Sequence, residues 1–265
     1  MTINAADERF LQDAARYAAY LETPEGRLRV DLAFANLREF LPQASWSLRV
    51  LDVGCGTGIL GLRAAGLGFH VTLLDASQAM LDLAERGAQD AGVSERIALQ
   101  QGEATQIAGL FEAESFDVIL CHNVLEFVDD PRPVLHSAGR LLRSSSGILS
   151  VLVRNQPGEA LKAALVNGDL SAAEHALGSE WGDESLYGGK VRLFTAKNLR
   201  AMLEDASFKV IAERGVRVVS DYLPEKISRT GEYERIFQLE RKFGTQPELA
   251  SIARYMHFVA GVHVR

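Results

Sequence analysis

Three glycines flanked by two acidic residues form the stretch of this sequence with the clearest chemical meaning. Asp52 precedes Gly54, Gly56 and Gly58 at the end of one apolar run, and a second apolar run at 71–74 ends on Asp75. Because glycine has no Cβ atom, the backbone at such a turn can lie against a ligand. A carboxylate at the tip of the next strand is placed to accept hydrogen bonds from both hydroxyls of a ribose. The pattern therefore predicts a nucleoside-cofactor site, with a ligand-free strand-to-helix turn as the alternative.

The spacing of the glycines favours one class of cofactor over another. A dinucleotide-binding loop has the spacing G-x-G-x-x-G, whereas this loop has G-x-G-x-G. The carboxylate of Asp52 suits a cationic ligand and repels a pyrophosphate, which disfavours an NAD-dependent oxidoreductase. S-adenosylmethionine carries a sulfonium and an ammonium group and no phosphate, so the pattern resembles the class I S-adenosylmethionine-dependent methyltransferases. We expect this cofactor to contact the loop and its flanks at Asp52, Gly54, Cys55, Gly56, Asp75 and Ala76.

The composition of the chain bounds its class. It has 265 residues, of which 47% are apolar and 24% are charged, and its net charge is −7. These values favour one α/β domain and exclude a disordered chain or a protein that holds nucleic acid mainly by its overall field. There is no signal-peptide pattern and no apolar stretch of the roughly 18 residues that span a membrane. Cys55 and Cys121 lack metal-ligand spacing, so we predict no metal site. With the absence of membrane and signal-peptide patterns, this use of cysteine predicts a cytoplasmic protein without a membrane contact.

Apolar runs alternate with helical patterns in the βαβ order, which predicts an α/β fold with a parallel sheet. We predict strands at 49–53, 71–75, 97–101, 116–121, 147–154, 208–214 and 256–264. We predict helices at 28–41, 59–67, 78–91, 131–142 and 195–206. Residues 156–192 and 220–251 fall outside this alternation, and the second segment has the pattern of an amphipathic helix. Insertions after strand ends lie over the ligand crevice in such sheets, so both are predicted to form a substrate cover on a single domain.

Polar residues near three other element ends are candidates for the same site. Glu103, or the backbone of Ala104 and Thr105, follows the third strand, where similar methyltransferases bind the adenine amino group; an exposed turn is the alternative. His122 ends the fourth strand beside the crevice and is either a ligand contact or a structural histidine. Arg29 lies near the start of the first predicted helix and is either a bidentate partner of the cofactor carboxylate or a solvated arginine.

Two arginines and a tyrosine are candidates for holding the methyl acceptor. Arg154 ends the fifth strand, and Arg217 lies in an apolar run after the sixth. A charged residue among valines needs a partner or a ligand, and Asp221 is the candidate for an internal ion pair with Arg217. Tyr222 follows as a hydrogen-bond donor.

Several of these pieces resemble, over nearly the whole chain, a family of bacterial tRNA methyltransferases. That family methylates the carboxylate of carboxymethoxyuridine at the wobble position of the anticodon. The similar pieces lie at 26–29, 122–126, 215–218, 221–223, 233–241 and 254–257. The resemblance implies a Rossmann-like, mostly parallel seven-stranded sheet whose last strand is antiparallel, and a tRNA anticodon loop as partner. It also implies cofactor contacts at Arg29, Cys55, Gly56, Asp75, Ala104, Thr105 and His122.

The expected reaction is methylation of a carboxylate, which needs no general base because a carboxylic acid is already ionised at neutral pH. Arg217 and Arg154 would hold the acceptor carboxylate, and Tyr222 would donate a hydrogen bond. For an amine or hydroxyl acceptor, His122 or His257 would be the base. Acidic residues at 174, 180, 183 and 184 stand where the family has a basic stretch, so a small acid, phenol or amine is the alternative acceptor. A cofactor-binding regulatory subunit without activity is a further alternative.

Overall fold

A seven-stranded sheet forms the centre of the computed structural model, which describes residues 5–43, 48–143, 146–184, 186 and 188–262. The strands are β1 (Arg49–Val53), β2 (His70–Asp75), β3 (Ile97–Gln101), β4 (Val118–His122), β5 (Ile148–Arg154), β6 (Trp181–Asp183), β7 (Lys190–Arg192), β8 (Phe208–Val216) and β9 (Tyr255–Val262). The helices are α1 (Ala5–Glu22), α2 (Pro24–Arg38), α3 (Ile59–Gly66), α4 (Gln78–Asp90), α5 (Ile107–Leu110), α6 (Pro131–Leu141), α7 (Gln156–Leu165), α8 (Leu170–Gly178), α9 (Ala196–Asp205), α10 (Tyr233–Gly244) and α11 (Pro247–Ala250).

The order of the strands creates a crevice at the middle of the sheet. The order is β3-β2-β1-β4-β5-β9-β8, and β6 and β7 form a separate hairpin. Strands β1 to β5 pair in parallel, while β9 is antiparallel to both of its neighbours, β5 and β8. The predicted α/β class, with a mostly parallel sheet and an antiparallel last strand, is confirmed. The chain leaves β1 toward β2 on one side and reaches β4 on the other, and ligands bind in such folds at this reversal.

Apolar runs place the central strands inside the molecule. Val50, Leu51 and Val53 of β1 are at most 1% exposed, as expected for a parallel strand covered by helices on both faces. Helix α6 buries Val134 and Leu135 against the same core. The continuous apolar runs of the sequence therefore correspond to the interior of the sheet.

Local capping signals explain where several helices begin. The Thr23 hydroxyl accepts a hydrogen bond from the backbone N–H of Gly26, and Pro24 is in the first turn, so α2 begins before the predicted residue 28. The Asp130 carboxylate caps α6 in the same way, through the N–H of Arg132. The predicted start at 28 was wrong because the Thr23 cap and Pro24, and not the first apolar residue, define the first turn of α2.

The remaining differences concern segments without strong periodicity. Helix α1 was not predicted, and neither were α7, α8 or the β6–β7 hairpin within the first insertion. The predicted strand at 116–121 begins at Val118, since Phe116 makes only an isolated bridge with Leu142. The end of the predicted strand 256–264 lies partly outside the described residues. Helix α10 confirms the amphipathic pattern in the second insertion and packs against α2 and β8.

None of the helices in the described part of the chain is both long and apolar enough to cross a membrane.

Candidate functional site

A cavity of about 390 Å³ lies at the carboxyl ends of the central strands. This volume falls within the range of small-molecule sites. Of the predicted site residues, those that line the cavity are Arg29, Gly54, Gly56, Asp75, Ala76, Glu103, Ala104, Thr105, His122, Arg154 and Arg217. The fold therefore brings together residues from seven separate stretches of the chain, and their contacts with cofactor and acceptor stay predictions.

The glycine loop has a backbone that other residues adopt only with strain. Gly54, Gly56 and Gly58 have φ values of 62°, 55° and 75°. A Cβ atom on Gly54 would also lie 2.6 Å from a methyl carbon of Val124. The N–H of Cys55 donates to the carbonyl of Leu74, which ties the loop to the end of β2. The positive φ angles and this hydrogen bond thus fix the conformation of the loop beside the cavity.

Asp75 joins the glycine loop to the start of α4. Its Oδ2 atom accepts a hydrogen bond of 2.8 Å from the N–H of Gly56, and its Oδ1 atom accepts one of 2.9 Å from the N–H of Ser77. Burial raises the pKa of this carboxyl, while the backbone donors oppose the shift. Each carboxylate oxygen keeps a lone pair beyond the bond it accepts, and the side chain lines the cavity, so both oxygens can accept ribose hydroxyls.

Asp52 and Cys55 lie outside the main cavity and line a smaller recess beside it. Asp52 is 3% exposed, and its Oδ2 atom accepts a hydrogen bond of 3.1 Å from the N–H of Gly61 in the first turn of α3. Burial raises the pKa of Asp52 to about 7. Neither residue lines the main cavity, and their predicted contacts with the cofactor stay predictions. Asp52 supports the helix that follows the loop, because its side chain points back into the protein.

Arg29 brings a buried positive charge to the cavity. Its Nη1 atom donates to Oδ1 of Asn123 and its Nη2 atom donates to the hydroxyl of Tyr17, each at 3.0 Å. The guanidinium also lies over the rings of Tyr17, Tyr20 and Tyr255. Within the described ranges, no carboxylate forms an ion pair with it. Arg29 is therefore suited to a carboxylate supplied by a ligand, and the alternative of a solvated arginine is excluded by its burial.

The turn after β3 lines the cavity beyond the ribose position. Glu103 caps a short 3-10 helix at 104–106, and the Thr105 hydroxyl donates to its carboxylate at 3.2 Å. Together with the backbone of Ala104, this turn offers both donors and acceptors to a purine edge.

His122 is the exposed end of a buried chain of hydrogen bonds. Its Nε2 atom lies 2.7 Å from the Ser150 hydroxyl, which lies 2.7 Å from Nε2 of His257. Burial lowers the pKa of both imidazoles, that of His257 to about 3, so both rings are neutral. His257 is fully buried and does not line the cavity, so its suggested role as a base is wrong. The Nδ1 atom of His122 has no partner among the described residues.

Each arginine at the far end of the cavity is paired with a carboxylate. Arg217 makes a bidentate pair with Asp221, at 2.7 and 2.6 Å, which confirms the predicted internal ion pair. Arg154 pairs with Glu184 of the first insertion, and Arg254 pairs with Glu159 of α7.

Tyr222 does not line the cavity. Its hydroxyl donates a long hydrogen bond of 3.4 Å to the carbonyl of Gly158, which turns the ring toward α7. Its predicted role as a donor to the acceptor is therefore corrected.

Sequence reasoning missed several residues that complete the cavity. Glu126 accepts hydrogen bonds of 2.9 Å from the Asn123 side chain and the Arg154 N–H, while its second oxygen has no partner among the described residues. Tyr255 and Lys162 also line the cavity. Glu126 and Tyr255 lie in the stretches 122–126 and 254–257 that resemble the tRNA methyltransferases, so this resemblance could have identified them. No sequence pattern pointed to Lys162.

Comparisons with known proteins place the chain in a family. A family model described as "Methyltransferase domain" matches residues 13–213. The tRNA 5-carboxymethoxyuridine methyltransferase of Escherichia coli K12 is 31% identical over 245 residues, which is 90% of this chain and 89% of that protein. A ubiquinone biosynthesis O-methyltransferase of Hahella chejuensis is 35% identical over 130 residues, 49% of this chain and 51% of that protein.

Solved structures agree on the fold. The CcbJ methyltransferase of Streptomyces caelestis superposes with a TM-score of 0.64 at 15% identity, covering 98% of this chain and 100% of that one. Geranyl diphosphate C-methyltransferase of Streptomyces coelicolor, solved with S-adenosyl-L-homocysteine, has a TM-score of 0.57 at 15% identity and covers 87% and 78%. The cofactor also fits the cavity chemically, since Asp75 can accept the ribose and Arg29 faces the cavity without a carboxylate partner in the described chain. On these grounds the protein belongs to the class I S-adenosylmethionine-dependent methyltransferases, in the family that includes the Escherichia coli tRNA enzyme.

Proposed function

We propose that this methyltransferase acts on a carboxylate, namely that of carboxymethoxyuridine in the anticodon loop of tRNA, in the cytoplasm. The observation that carries the proposal is the balance of charge along the whole cavity. Five cationic side chains line it, Arg29, Arg154, Lys162, Arg217 and Arg254. Three of them have carboxylate partners, which leaves Arg29 and Lys162 without one in the described part of the chain. Two free cations match the two carboxylates of the reaction, one on the cofactor and one on the acceptor.

The residues near the glycine loop would hold the cofactor. Asp75 would accept the ribose hydroxyls, the turn at 103–105 would bind the adenine, and Arg29 would bind the amino-acid carboxylate. When bound, S-adenosylmethionine supplies an electrophilic methyl group, which the acceptor carboxylate takes with its own electron pair as the carbon–sulfur bond breaks toward sulfur and S-adenosylhomocysteine is left.

The chain's own contribution is to align the acceptor and exclude water. A carboxylic acid has a pKa near 4 and is ionised at neutral pH, so no side chain has to remove a proton. The low pKa of His122 keeps its ring neutral, and we assign it a positioning role rather than that of a base. Arg154 and Arg217 would add positive potential near the acceptor, although each shares its charge with a carboxylate. Alignment of this kind is the main source of rate in an in-line displacement.

The first insertion is proposed to cover the acceptor. Lys162, Glu184 and Leu186 from residues 156–192 line the cavity, and the Arg154–Glu184 pair ties this insertion to the end of β5. The second insertion, 220–251, contributes none of the lining residues that the structure describes, so we restrict the cover to the first.

The test is transfer of radiolabelled methyl from S-adenosylmethionine to bulk tRNA from cells that lack this protein, with a small-molecule extract in parallel. We expect label in tRNA that mild alkali releases, since a methyl ester is hydrolysed and a methylated base or ribose is not. Label confined to the small-molecule fraction would refute the tRNA acceptor. Binding of S-adenosylhomocysteine without any transfer would instead indicate an inactive regulatory subunit.

A further inference from the structure

Two polar groups reach the acceptor end of the cavity without a partner in the described part of the chain. Lys162 lies on α7 in the first insertion and is half-buried. Its ammonium group makes neither a hydrogen bond nor an ion pair with any residue that the structure describes. Tyr255 is the first residue of β9 and is 5% exposed, and its hydroxyl likewise has no described hydrogen-bond partner. Both side chains line the cavity.

The surroundings show that the two groups belong to one subsite. The Arg254 guanidinium lies over the Tyr255 ring, 5.8 Å from its centroid. Burial and then the charge of Arg254 lower the pKa of Lys162, while Glu159 and Tyr255 act in the opposite direction. The two groups are therefore close enough to interact electrostatically, and both interact with Arg254.

The neighbouring arginines differ from Lys162 in one respect. Arg154, Arg217 and Arg254 are each committed to a carboxylate of the protein. A partly buried cation without a counter-ion has an unfavourable desolvation free energy, which an anionic ligand would remove. Lys162 is the cavity cation at this end for which the described residues supply no such anion.

We propose that the Lys162 ammonium and the Tyr255 hydroxyl bind the carboxylate of the methyl acceptor and make the enzyme specific for acidic acceptors. This inference rests on the proposed function. A lysine is a compact charge that can hold one carboxylate oxygen, whereas an arginine fork engages both. One oxygen held by Lys162 and Tyr255 leaves the other with a free lone pair for the methyl group. The paired arginines supply positive potential without competing for that second oxygen.

Tyr255 adds a pH limit to this subsite. Burial favours the neutral phenol, but Arg217, Arg29, Arg154 and Arg254 oppose it and lower its pKa to about 8. The ionisable groups that face it come from six parts of the chain: Tyr20 of α1, Arg29 of α2, Arg154 of β5, Lys162 of α7, Arg217 after β8 and Arg254 before β9. Above pH 8 the phenolate can no longer donate and repels the acceptor. Affinity for the acceptor should fall there, and Tyr255→Phe should remove that fall.

The test uses two synthetic anticodon stem-loops that differ only in carrying carboxymethoxyuridine or uridine. The wild-type enzyme should bind the carboxymethoxy form more tightly. Lys162→Met should remove this preference and raise the KM for the carboxymethoxy stem-loop by about tenfold or more, as expected for a lost charged hydrogen bond. Lys162→Arg should keep part of the preference. The Kd for S-adenosylhomocysteine should stay within about twofold, which shows that the variant is folded.

Lys197→Met is the matched control, because Lys197 is an exposed lysine on α9 outside the cavity. It reports what the loss of any one positive charge does to RNA affinity, and it should affect both stem-loops equally. If Lys162→Met keeps the wild-type preference while the wild-type enzyme transfers methyl, the inference is refuted and the proposed function stands. If the wild-type enzyme methylates neither stem-loop, the proposed function fails and this inference fails with it.

Discussion

Replacing Arg29 by methionine should weaken cofactor binding through a single functional group of the cofactor. A guanidinium has five N–H donors, and in Arg29 one is bonded to Asn123 and one to Tyr17. The remaining donors, and a charge that the described carboxylates do not neutralise, are available to the amino-acid carboxylate of the cofactor. A hydrogen bond between charged partners contributes about 1.5–3 kcal/mol, so the Kd should rise by about tenfold to 150-fold.

Calorimetric titration with two ligands separates this contact from a general disturbance of the site. S-adenosylhomocysteine carries the carboxylate, whereas 5′-methylthioadenosine has the same nucleoside without it. We expect Arg29→Met to raise the Kd for S-adenosylhomocysteine and to leave that for 5′-methylthioadenosine within about twofold. Arg27→Met is the control variant, since Arg27 lies on the same helix, is 64% exposed, and pairs with Asp31 at 3.6 Å outside the cavity.

Two results would refute this reasoning. An unchanged Kd for S-adenosylhomocysteine would show that Arg29 does not bind the carboxylate. An equal loss of affinity for both ligands would show that Arg29 acts by holding the tyrosines and Asn123 in place. In either case the free cation would need another explanation.

Three further predictions concern residues around the site. Asp75→Ala should raise the Kd for S-adenosylhomocysteine and for 5′-methylthioadenosine by about tenfold each in calorimetric titration, since both ligands carry the ribose. Ser77→Ala is the control: it should lower the free energy of unfolding by about 1 kcal/mol through the lost helix cap and leave both Kd values unchanged. Arg217→Ala should lower the free energy of unfolding by about 3–5 kcal/mol, because Asp221 is left buried without its partner; a denaturation midpoint like that of the wild type would contradict this. Asp52 is protonated more readily in the folded chain than in the unfolded one, so its stabilising contribution is present below pH 4 and is lost as the pH rises toward 7. Urea denaturation at pH 5 and pH 8 should therefore show a smaller difference for Asp52→Asn than for the wild type.

Much of the cofactor half of the site could be predicted because it is encoded locally. The loop at Gly54–Gly56 needs positive φ angles, and only the absence of a Cβ atom makes them favourable, so the residue types alone indicate the turn. Asp75 could be predicted because it stands at the end of the apolar run 71–74. The periods of apolar residues likewise predicted the central strands and the helices between them, since burial on a strand or a helix face follows the geometry of the backbone.

The roles of charged residues could not be read in the same way. Asp52 was expected to face the ligand, but which way its side chain points depends on the packing of α3 against β1. Tyr222 was expected at the acceptor, but it ends the 3-10 turn at 220–222, and its hydroxyl donates to the Gly158 carbonyl of α7. The side chain of an acidic or aromatic residue near a site can point into the cavity or into the protein interior, and spacing along the chain does not decide which.

The sequence by itself determined the class of fold, the cofactor loop and the carboxylate that follows it, because these depend on backbone conformation and on the period of apolar residues. Only the tertiary structure decided which charges are free. Arg154, Arg217 and Arg254 are neutralised by carboxylates, of which Glu184 lies 30 residues away from Arg154 and Glu159 lies 95 residues away from Arg254. Lys162 lines the same cavity as Tyr255 only because the last strand, β9, pairs with β5 and so brings Tyr255 there. An ion pair depends on distance in space, and that distance is set by the packing of the whole sheet.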